Sequence, residues 1–162
     1  MEPVRYVDLL NRRYAAQGFP PYRWTVNTSA PFTPLRKPLR DCRVSMLTSG
    51  GVSRCASAPW NPDAKNDLRL DQIASDAPTS DFQIHDSYYD HRDADRDLNC
   101  IFPLDRLREL AEEGAIGAVA ERIWSGFMGR IYVRSAVENE SAPALARELE
   151  RDEVDLFVLV PS

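Results

Sequence analysis

Apolar residues recur every three or four positions in three stretches of the chain, a pattern that predicts three amphipathic helices. The first runs from Val4 to Ala16 and is ended by Gly18. The second begins at Pro103, which suits a first helical turn because the N–H that proline lacks would have no partner there. The third covers about Ala142 to Arg151, with Ser141 as the predicted N-cap. One face of the first helix carries Val4, Val7, Leu10 and Tyr14. The buried stripe of the second is Leu104, Leu107, Leu110 and Ala111, and the third points Leu145 and Leu149 inward.

Three further stretches have the apolar pattern of strands. Arg43 to Leu47 is a short apolar run with polar flanks, and residues 68–73 alternate as a short edge strand does. Val154 to Val160 is almost continuously apolar, as in strands that helices cover on both faces. These elements predict an α/β fold, a Rossmann-like open and mostly parallel sheet with helices on both faces. Because no helix follows the last strand to cover it, the sheet is expected to be incomplete at the C-terminus.

The first quarter of the chain has a different character from the rest. Residues 1–40 are predicted to form an N-terminal helix and a proline-rich arm, and residues 41–162 to form one α/β domain. Five prolines between residues 19 and 40 exclude a helix there and argue against a central strand. Trp24, Phe32 and Leu35 are expected to be the apolar anchors of this arm.

Composition restricts the classes of function. The net charge of −5 argues against nucleic acid as a partner, because phosphate binding needs a basic face. The sequence has no run of 18 apolar residues and no signal-like N-terminus, which predicts a cytoplasmic protein that does not bind membranes. Cys42, Cys55 and Cys100 are too widely spaced for a zinc ribbon and are expected to be free thiols.

The stretch from Asp81 to Pro103 gathers the residue types that carry chemistry. It contains both histidines of the chain, six aspartates and two tyrosines, and apolar residues flank it. No helical or strand period fits it, so it is either a solvated polar loop or a loop that forms a site. Histidine and aspartate also suggest Zn²⁺, but the spacing of six between His85 and His91 matches no helical ligand pair, so no metal site is predicted.

A second candidate is the turn Thr48-Ser49-Gly50-Gly51, directly after the first predicted strand. Glycine lets backbone N–H groups approach an anion, and α/β proteins place ligand loops at this position. The turn matches no GxGxxG pattern and no helix opens after it, so a plain turn stays open as the alternative.

Three segments resemble the selenoprotein B family, the B components of glycine, sarcosine and betaine reductases and the matching subunit of D-proline reductase. They are DCRVSMLTSGGV (41–52), DFQIHDSYYDHRDADRDLNCIFPLDRLRELAEEGAIGAVA (81–120) and GFMG (126–129). The most specific part is YYDHRDAD followed by NCIFPLDRLREL. The resemblance covers roughly residues 41–162, and its compact spacing is closer to the short D-proline reductase subunit.

The resemblance implies reductive cleavage of a C–N bond in an amino acid or related amine. In that family a strand like VDLFVLV leads into a selenocysteine or cysteine, with a second cysteine three positions on. Here that nucleophile would be residue 163, so the chain is expected to be the truncated front half of a longer protein and inactive alone. A UGA codon interpreted as a stop, or a deliberate or natural truncation, would account for this. The resemblance also implies an obligate partner subunit whose pyruvoyl group activates the amine, and hence an oligomer.

Within such a site, His85 or His91 is a candidate acid for the departing nitrogen, because imidazole titrates near neutrality. Asp86 and Asp90 are candidates to orient these rings. The candidates for binding a substrate carboxylate are Ser49, Gly50, Gly51, Tyr88 and Tyr89. Structural roles for all these residues stay open, as does a non-catalytic small-molecule binding or partner-dependent scaffold domain.

Overall fold

The computed structural model describes residues 5–21, 26, 28–30 and 33–162. The chain divides into two compact units, Met1–Pro34 and Leu35–Ser162. In the first unit, the predicted helix is confirmed as α1, Tyr6–Ala15. The predicted start at Val4 lies outside the described residues, as do the predicted anchors Trp24 and Phe32. Leu35 is largely exposed, so it is not the buried anchor that the sequence predicts.

The described part of the second unit contains seven strands and three α-helical segments. The strands are β1 (Arg43–Thr48), β2 (Val52–Arg54), β3 (Leu70–Ala74), β4 (Phe82–Ile84), β5 (Ala118–Val119), β6 (Arg122–Gly126) and β7 (Leu156–Val160). The helices are α2 (Leu104–Glu112), α3 (Arg134–Ala136) and α4 (Ala142–Arg151), and a π-helical turn, Val137–Ser141, joins the last two. Short 3-10 turns occupy Leu39–Asp41, Thr79–Asp81 and Leu98–Cys100.

Five of these strands form one mixed, mostly parallel sheet. β1 is parallel to β5, β6 and β7, whereas β3 is antiparallel to β6 and forms an edge. β2 and β4 make a separate antiparallel ribbon. The α/β class and the parallel majority are therefore confirmed, as is the short edge strand, while the Rossmann-like topology stays a prediction.

Helices cover both faces of the sheet, as the apolar pattern predicts. Val44 and Met46 of β1 belong to the cluster that Leu104 and Leu107 of α2 complete. Leu47, which points to the opposite face because strand side chains alternate, packs instead with Trp124 and with Leu145 of α4. The second and third predicted helices are thus confirmed. Leu104, Leu107, Ala111, Leu145 and Leu149 pack inward as their spacing predicts. The prediction is wrong for Leu110, which is exposed because it lies at the margin of the apolar stripe.

The N-cap predicted at Ser141 is wrong. This residue has helical backbone angles, φ −71° and ψ −45°, and its side chain makes no capping hydrogen bond. The reason is that the helical path already begins at Arg134 and passes through the π-helical turn into α4. A residue inside a continuous helix has its backbone N–H groups satisfied and needs no cap.

β7 is not buried on both faces, contrary to its apolar sequence. Among the described strands it pairs with β1 alone, so its other edge has no strand beside it. Phe157 packs under α4, but Leu159 on the same face is 64% exposed. The apolar run therefore forms a half-covered edge strand.

No helix in the described part of the chain is long and apolar enough to cross a membrane.

Asp105, in the first turn of α2, ties this helix to two loops. Its carboxylate accepts hydrogen bonds from Thr79 Oγ1 (2.8 Å), Asn99 Nδ2 (3.2 Å) and Arg108 Nη1 (2.9 Å). Burial raises the pKa of Asp105, but these three hydrogen bonds outweigh it and hold the pKa below its usual value of 3.8. Arg108 in turn donates to the Ser75 carbonyl at 2.9 Å. This carboxylate therefore fastens the helix that covers one face of the sheet.

We expect Asp105→Asn to lower the free energy of unfolding by about 1–2 kcal/mol at pH 7, because charged hydrogen bonds are lost. A carboxyl group whose pKa is lower in the folded state stabilises the fold at pH values above its unfolded-state pKa. This stabilisation is lost as the pH falls through the folded-state pKa. The wild type should therefore lose more stability below about pH 4 than Asp105→Asn does. Urea unfolding at pH 3 and pH 7 measures this difference. Asp93→Asn is the control, since Asp93 is 84% exposed; an equal loss in both variants would contradict the role of Asp105.

Candidate functional site

The carboxyl ends of three parallel strands meet at one edge of the sheet. β1 ends at Thr48, which is in register with Ser125 of β6 and with Val160 of β7. Ligands of open α/β sheets bind at this edge, because the loops that follow the strands converge there. The candidate turn Thr48 to Gly51 leaves β1 at this edge.

The turn is bound directly to the residues that follow β7. The Ser49 N–H donates to the Val160 carbonyl at 3.2 Å, and the Ser162 N–H donates to Ser49 Oγ at 3.1 Å. The Gly50 N–H donates to Thr48 Oγ1 at 3.1 Å. The backbone donors of Ser49 and Gly50 are therefore used inside the chain in this conformation. What Ser49 can still offer a ligand is its hydroxyl hydrogen.

Gly51 joins the turn to the polar loop. Its φ is +68°, and a Cβ at this position would lie 2.6 Å from the carbonyl oxygen of His85 and 3.2 Å from Cβ of Asp86. The His85 N–H donates to the Gly51 carbonyl at 2.9 Å, which extends the β2–β4 ribbon by one pair. Only glycine fits here, both for its left-handed backbone and for the close approach of the second chain segment.

Tyr89 also bonds to the turn. Its hydroxyl donates to the Gly50 carbonyl at 2.9 Å across 39 residues of sequence. Burial, and then the negative charges of Asp86 and Asp95, raise the pKa of Tyr89 to about 12. The phenol therefore keeps its proton at neutral pH and acts as a hydrogen-bond donor.

His91 lies beside Tyr89 and is held by an aspartate that the sequence reasoning missed. The two rings meet edge to face, with 6.0 Å between their centroids. His91 Nδ1 is 2.8 Å from Asp95 Oδ2. Asp90 does not orient either histidine, because its carboxylate is taken by Arg92, whose hydrogen bonds lower the pKa of Asp90. The spacing of four between His91 and Asp95, which one helical turn brings together, was the available signal.

The remaining candidates are placed less centrally. His85 Nε2 is buried, and among the described residues it has no hydrogen-bond partner. Asp86 accepts a hydrogen bond at 2.7 Å from the N–H of Tyr88, so it shapes the local turn and does not orient a histidine. Tyr88 itself is 60% exposed. The described residues contain no group of three or more His, Cys, Asp and Glu side chains arranged to hold a metal ion.

The candidates therefore separate into two groups. Ser49, Gly50, Gly51 and Tyr89 form one connected site at the carboxyl edge, where the backbone of His85 joins them. His91 adjoins this site through Tyr89, whereas Tyr88 lies exposed on the same loop and Asp90 is turned to Arg92. The arrangement provides the Ser49 hydroxyl beside the end of β7 and a carboxylate-held imidazole on the adjoining loop, groups that can bind and protonate a small polar molecule.

Comparison with known proteins gives one consistent family. Residues 4–162 match the family profile described as glycine/sarcosine/betaine reductase selenoprotein B. The chain is 36% identical to the D-proline reductase subunit gamma of Acetoanaerobium sticklandii, over 79% of this chain and 52% of that protein. It is 28% identical to the glycine reductase complex component B subunit gamma of Peptoclostridium acidaminophilum, over 76% of this chain and 28% of that protein.

A third relative agrees with the first two. It is the glycine reductase complex component B subunit gamma of Symbiobacterium thermophilum, which is 27% identical over 96% of this chain and 37% of its own length. The chain therefore spans about half the length of the D-proline reductase subunit and less of the two glycine reductase subunits. No solved structure matches it.

Proposed function

Since this chain belongs to the glycine/sarcosine/betaine reductase selenoprotein B family, we propose that it is part of a reductase complex that breaks a C–N bond in an amino acid or related amine. The observation that carries the proposal is the connected site at the carboxyl edge of the sheet. Its turn, its phenol and the end of β7 come from segments far apart in the chain, yet they are bonded to one another. D-proline, glycine, sarcosine and betaine are the substrates to test, because they give the names of the relatives and of the family.

The geometry suits a nucleophile placed after β7. A selenocysteine or cysteine following Ser162 would supply the electron pair that attacks the carbon bearing the nitrogen. Such a residue would lie next to the turn, because the Ser162 N–H already donates to Ser49 Oγ. Ile101 packs against Gly50 there, since its Cδ1 would lie 3.0 Å from a Cβ at that position. Reading the nucleotides after codon 162 tests this placement. A UGA or cysteine codon with a cysteine codon three positions on supports it, and any other reading contradicts it.

His91 is the proposed acid. Asp95 holds its Nδ1, which leaves Nε2 to give a proton to the departing nitrogen, and its side chain is more than a third exposed and so within reach of a substrate. The Ser49 hydroxyl positions the substrate beside it, while Tyr89, whose O–H donates to the Gly50 carbonyl, holds the turn in place. A buried group such as His85 Nε2 is less accessible to a leaving group and is proposed to serve the packing of the loop.

The proposal includes a partner. A pyruvoyl-containing subunit would make the amine a better leaving group, so this chain alone is proposed to be inactive. The complex would work in the cytoplasm, where thiols stay reduced. The direct test is to assemble the full-length protein with the pyruvoyl subunit, add a dithiol as reductant, and measure the amine released from each of the four substrates. For D-proline the readout is the primary amine formed by ring opening. Release from none of the four by an intact complex would refute the proposed function.

We expect His91→Asn to lower the turnover number on the order of 100-fold while the Michaelis constant stays nearly constant, because a general acid acts in the transition state. Asp95→Asn should lower it less, since the imidazole remains. The matched control is Asp93→Asn, an exposed aspartate of the same loop, which should stay within about twofold of the wild type. Wild-type turnover in His91→Asn would remove His91 from the mechanism and leave the proposed function standing.

A further inference from the structure

The loop that follows β6 has an unusual backbone. Phe127 and Arg130 have φ values of +53° and +62°, and Asn66 on the neighbouring loop has +54°. Large side chains rarely adopt this left-handed region. Such conformations persist only where the surrounding structure imposes them, and they cluster at functional sites.

Hydrogen bonds hold Arg130 in this conformation. The Asn66 N–H donates to the Arg130 carbonyl at 3.1 Å. Asn66 Oδ1 accepts from the N–H groups of Tyr132 (2.7 Å) and Val133 (3.0 Å). The two loops are thereby clamped on either side of Arg130, so the direction in which its side chain leaves the backbone is fixed.

The guanidinium of Arg130 has weak internal partners. Its Nη1 donates to the Asp63 carbonyl at 3.1 Å and lies 3.3 Å from Asp63 Oδ1, on a carboxylate that is 87% exposed. The Tyr132 side chain is hydrogen-bonded to it and raises its pKa. A guanidinium has five N–H donors, and these contacts leave some of them for a ligand on the quarter of the side chain that is exposed.

Two arginines of neighbouring loops are better paired. Arg69 is bidentate to Asp71, with contacts of 2.7 and 2.6 Å, and Arg92 is bidentate to Asp90. Arg130 differs because its side-chain partners are the Tyr132 phenol and one solvated carboxylate. The guanidinium is planar and its N–H donors match the two oxygens of a carboxylate. Held on a fixed backbone, it therefore suits the binding of a planar anion.

We propose that Arg130 binds the carboxylate of the amino-acid substrate. The loop of Arg130 leaves β6 at the same edge of the sheet where β1 and β7 end. The carboxylate would thus be held on one side of the site and the C–N bond presented toward the end of β7. This inference rests on the proposed function.

The variant Arg130→Gly separates binding from folding. Glycine adopts a φ of +62° without strain, so the thermal unfolding midpoint should be unchanged or raised while the guanidinium is lost. Arg130→Lys keeps the charge but not the fork, and it serves as the second variant if Arg130→Gly does not fold. The control is Arg96→Gln, which removes an exposed cation from the neighbouring loop.

Binding is measured by titration calorimetry on the intact reductase complex without reductant, so that turnover is not needed. The ligands are glycine, sarcosine, betaine and D-proline, and then the carboxamide of whichever binds. We expect Arg130→Gly to weaken carboxylate binding about 10- to 100-fold, with Arg130→Lys in between. The carboxamide should bind the wild type and Arg130→Gly equally, and Arg96→Gln should match the wild type for both ligands.

The outcomes are distinguishable. If the wild type binds a carboxylate and Arg130→Gly binds it equally, or if Arg130→Gly weakens carboxylate and carboxamide alike, this inference is wrong while the proposed function stands. If the wild-type complex binds none of the four, both are wrong.

Discussion

Replacing Gly51 with alanine should lower the free energy of unfolding by about 4 kcal/mol, the largest effect expected for a single methyl group in this protein. Two penalties combine. The residue has a φ of +68°, which L side chains rarely adopt, and the new Cβ would lie 2.6 Å from the His85 carbonyl oxygen. The carbonyl is backbone and cannot rotate away. The His85 segment would have to shift, and with it the loop that carries Tyr89 and His91.

Other glycines of the chain separate the two penalties. At Gly129 a Cβ meets nothing within 4 Å and φ is not positive, so alanine should be nearly neutral. At Gly114 the space is open but φ is +72°, so alanine should cost only the strain of about 1–2 kcal/mol. At Gly117 φ is not positive, but a Cβ would lie 2.8 Å from the Asp41 carbonyl carbon, so alanine should cost only the clash.

Urea unfolding of these four alanine variants measures the series. The cost at Gly51 should approach the sum of the costs at Gly114 and Gly117. Activity of the assembled complex is the second readout, since a displaced His85 segment should disturb the site even in molecules that fold. A cost at Gly51 no larger than that at Gly114 would mean that the turn and the polar loop are not in close contact.

Arg122→Met should lower the free energy of unfolding by about 3 kcal/mol, because Asp152 is left without a cation and Glu148 keeps only the exposed Arg151. Its guanidinium joins β6 to α4 through Asp152, with two hydrogen bonds of 2.8 and 2.7 Å, and through Glu148 at 2.8 Å. The Asp152 hydrogen bonds raise the pKa of Arg122 strongly against the opposing effect of burial. Only about a quarter of the side chain is exposed, so water screens the pair less than at the surface.

Arg151→Met is the matched control. Arg151 also pairs with Glu148, at 2.9 Å, but its side chain is 69% exposed. Losing this pair should lower the free energy of unfolding by less than about 0.5 kcal/mol, and this cost should decrease further in high salt. The cost of Arg122→Met should change little with salt. Equal costs for both variants would show that the Arg122 network adds no more than an ordinary surface pair.

Much of the fold could be predicted because the relevant signals are local. The α4 bounds match the predicted stretch, β7 lies within its predicted apolar run, and β1 extends one residue beyond its own run, to Thr48. Each was recognisable from spacing inside a window of ten to fifteen residues, where the interior face of a helix or strand repeats. The coverage of β7 could not be predicted in this way, since a buried and an edge strand with the same composition differ only in what lies beside them.

The candidate site was predicted in part for the same reason. Residue types located the Ser49 turn and the loop of Tyr89, but not the hydrogen bond that joins them. The predicted partners of the histidines, Asp86 and Asp90, were wrong for His91, because several aspartates lie close to it in sequence. The turn at residues 91–97 brings Asp95 to its ring instead. Arg130 gave no signal, because an isolated arginine in a glycine-containing stretch looks like any surface residue.

The sequence by itself determined the class of fold, the positions of its main helices and strands, and the polar segments on which the chemistry depends. Hydrophobic burial enforces these choices residue by residue, so they remain visible in the order of side chains. The tertiary structure alone decided that Gly51 meets His85, that Tyr89 bonds to Gly50, and that Arg130 leaves a strained loop at the same edge as β7. These contacts join residues more than thirty positions apart, or depend on backbone angles that packing imposes, and neither has a periodic trace in the sequence.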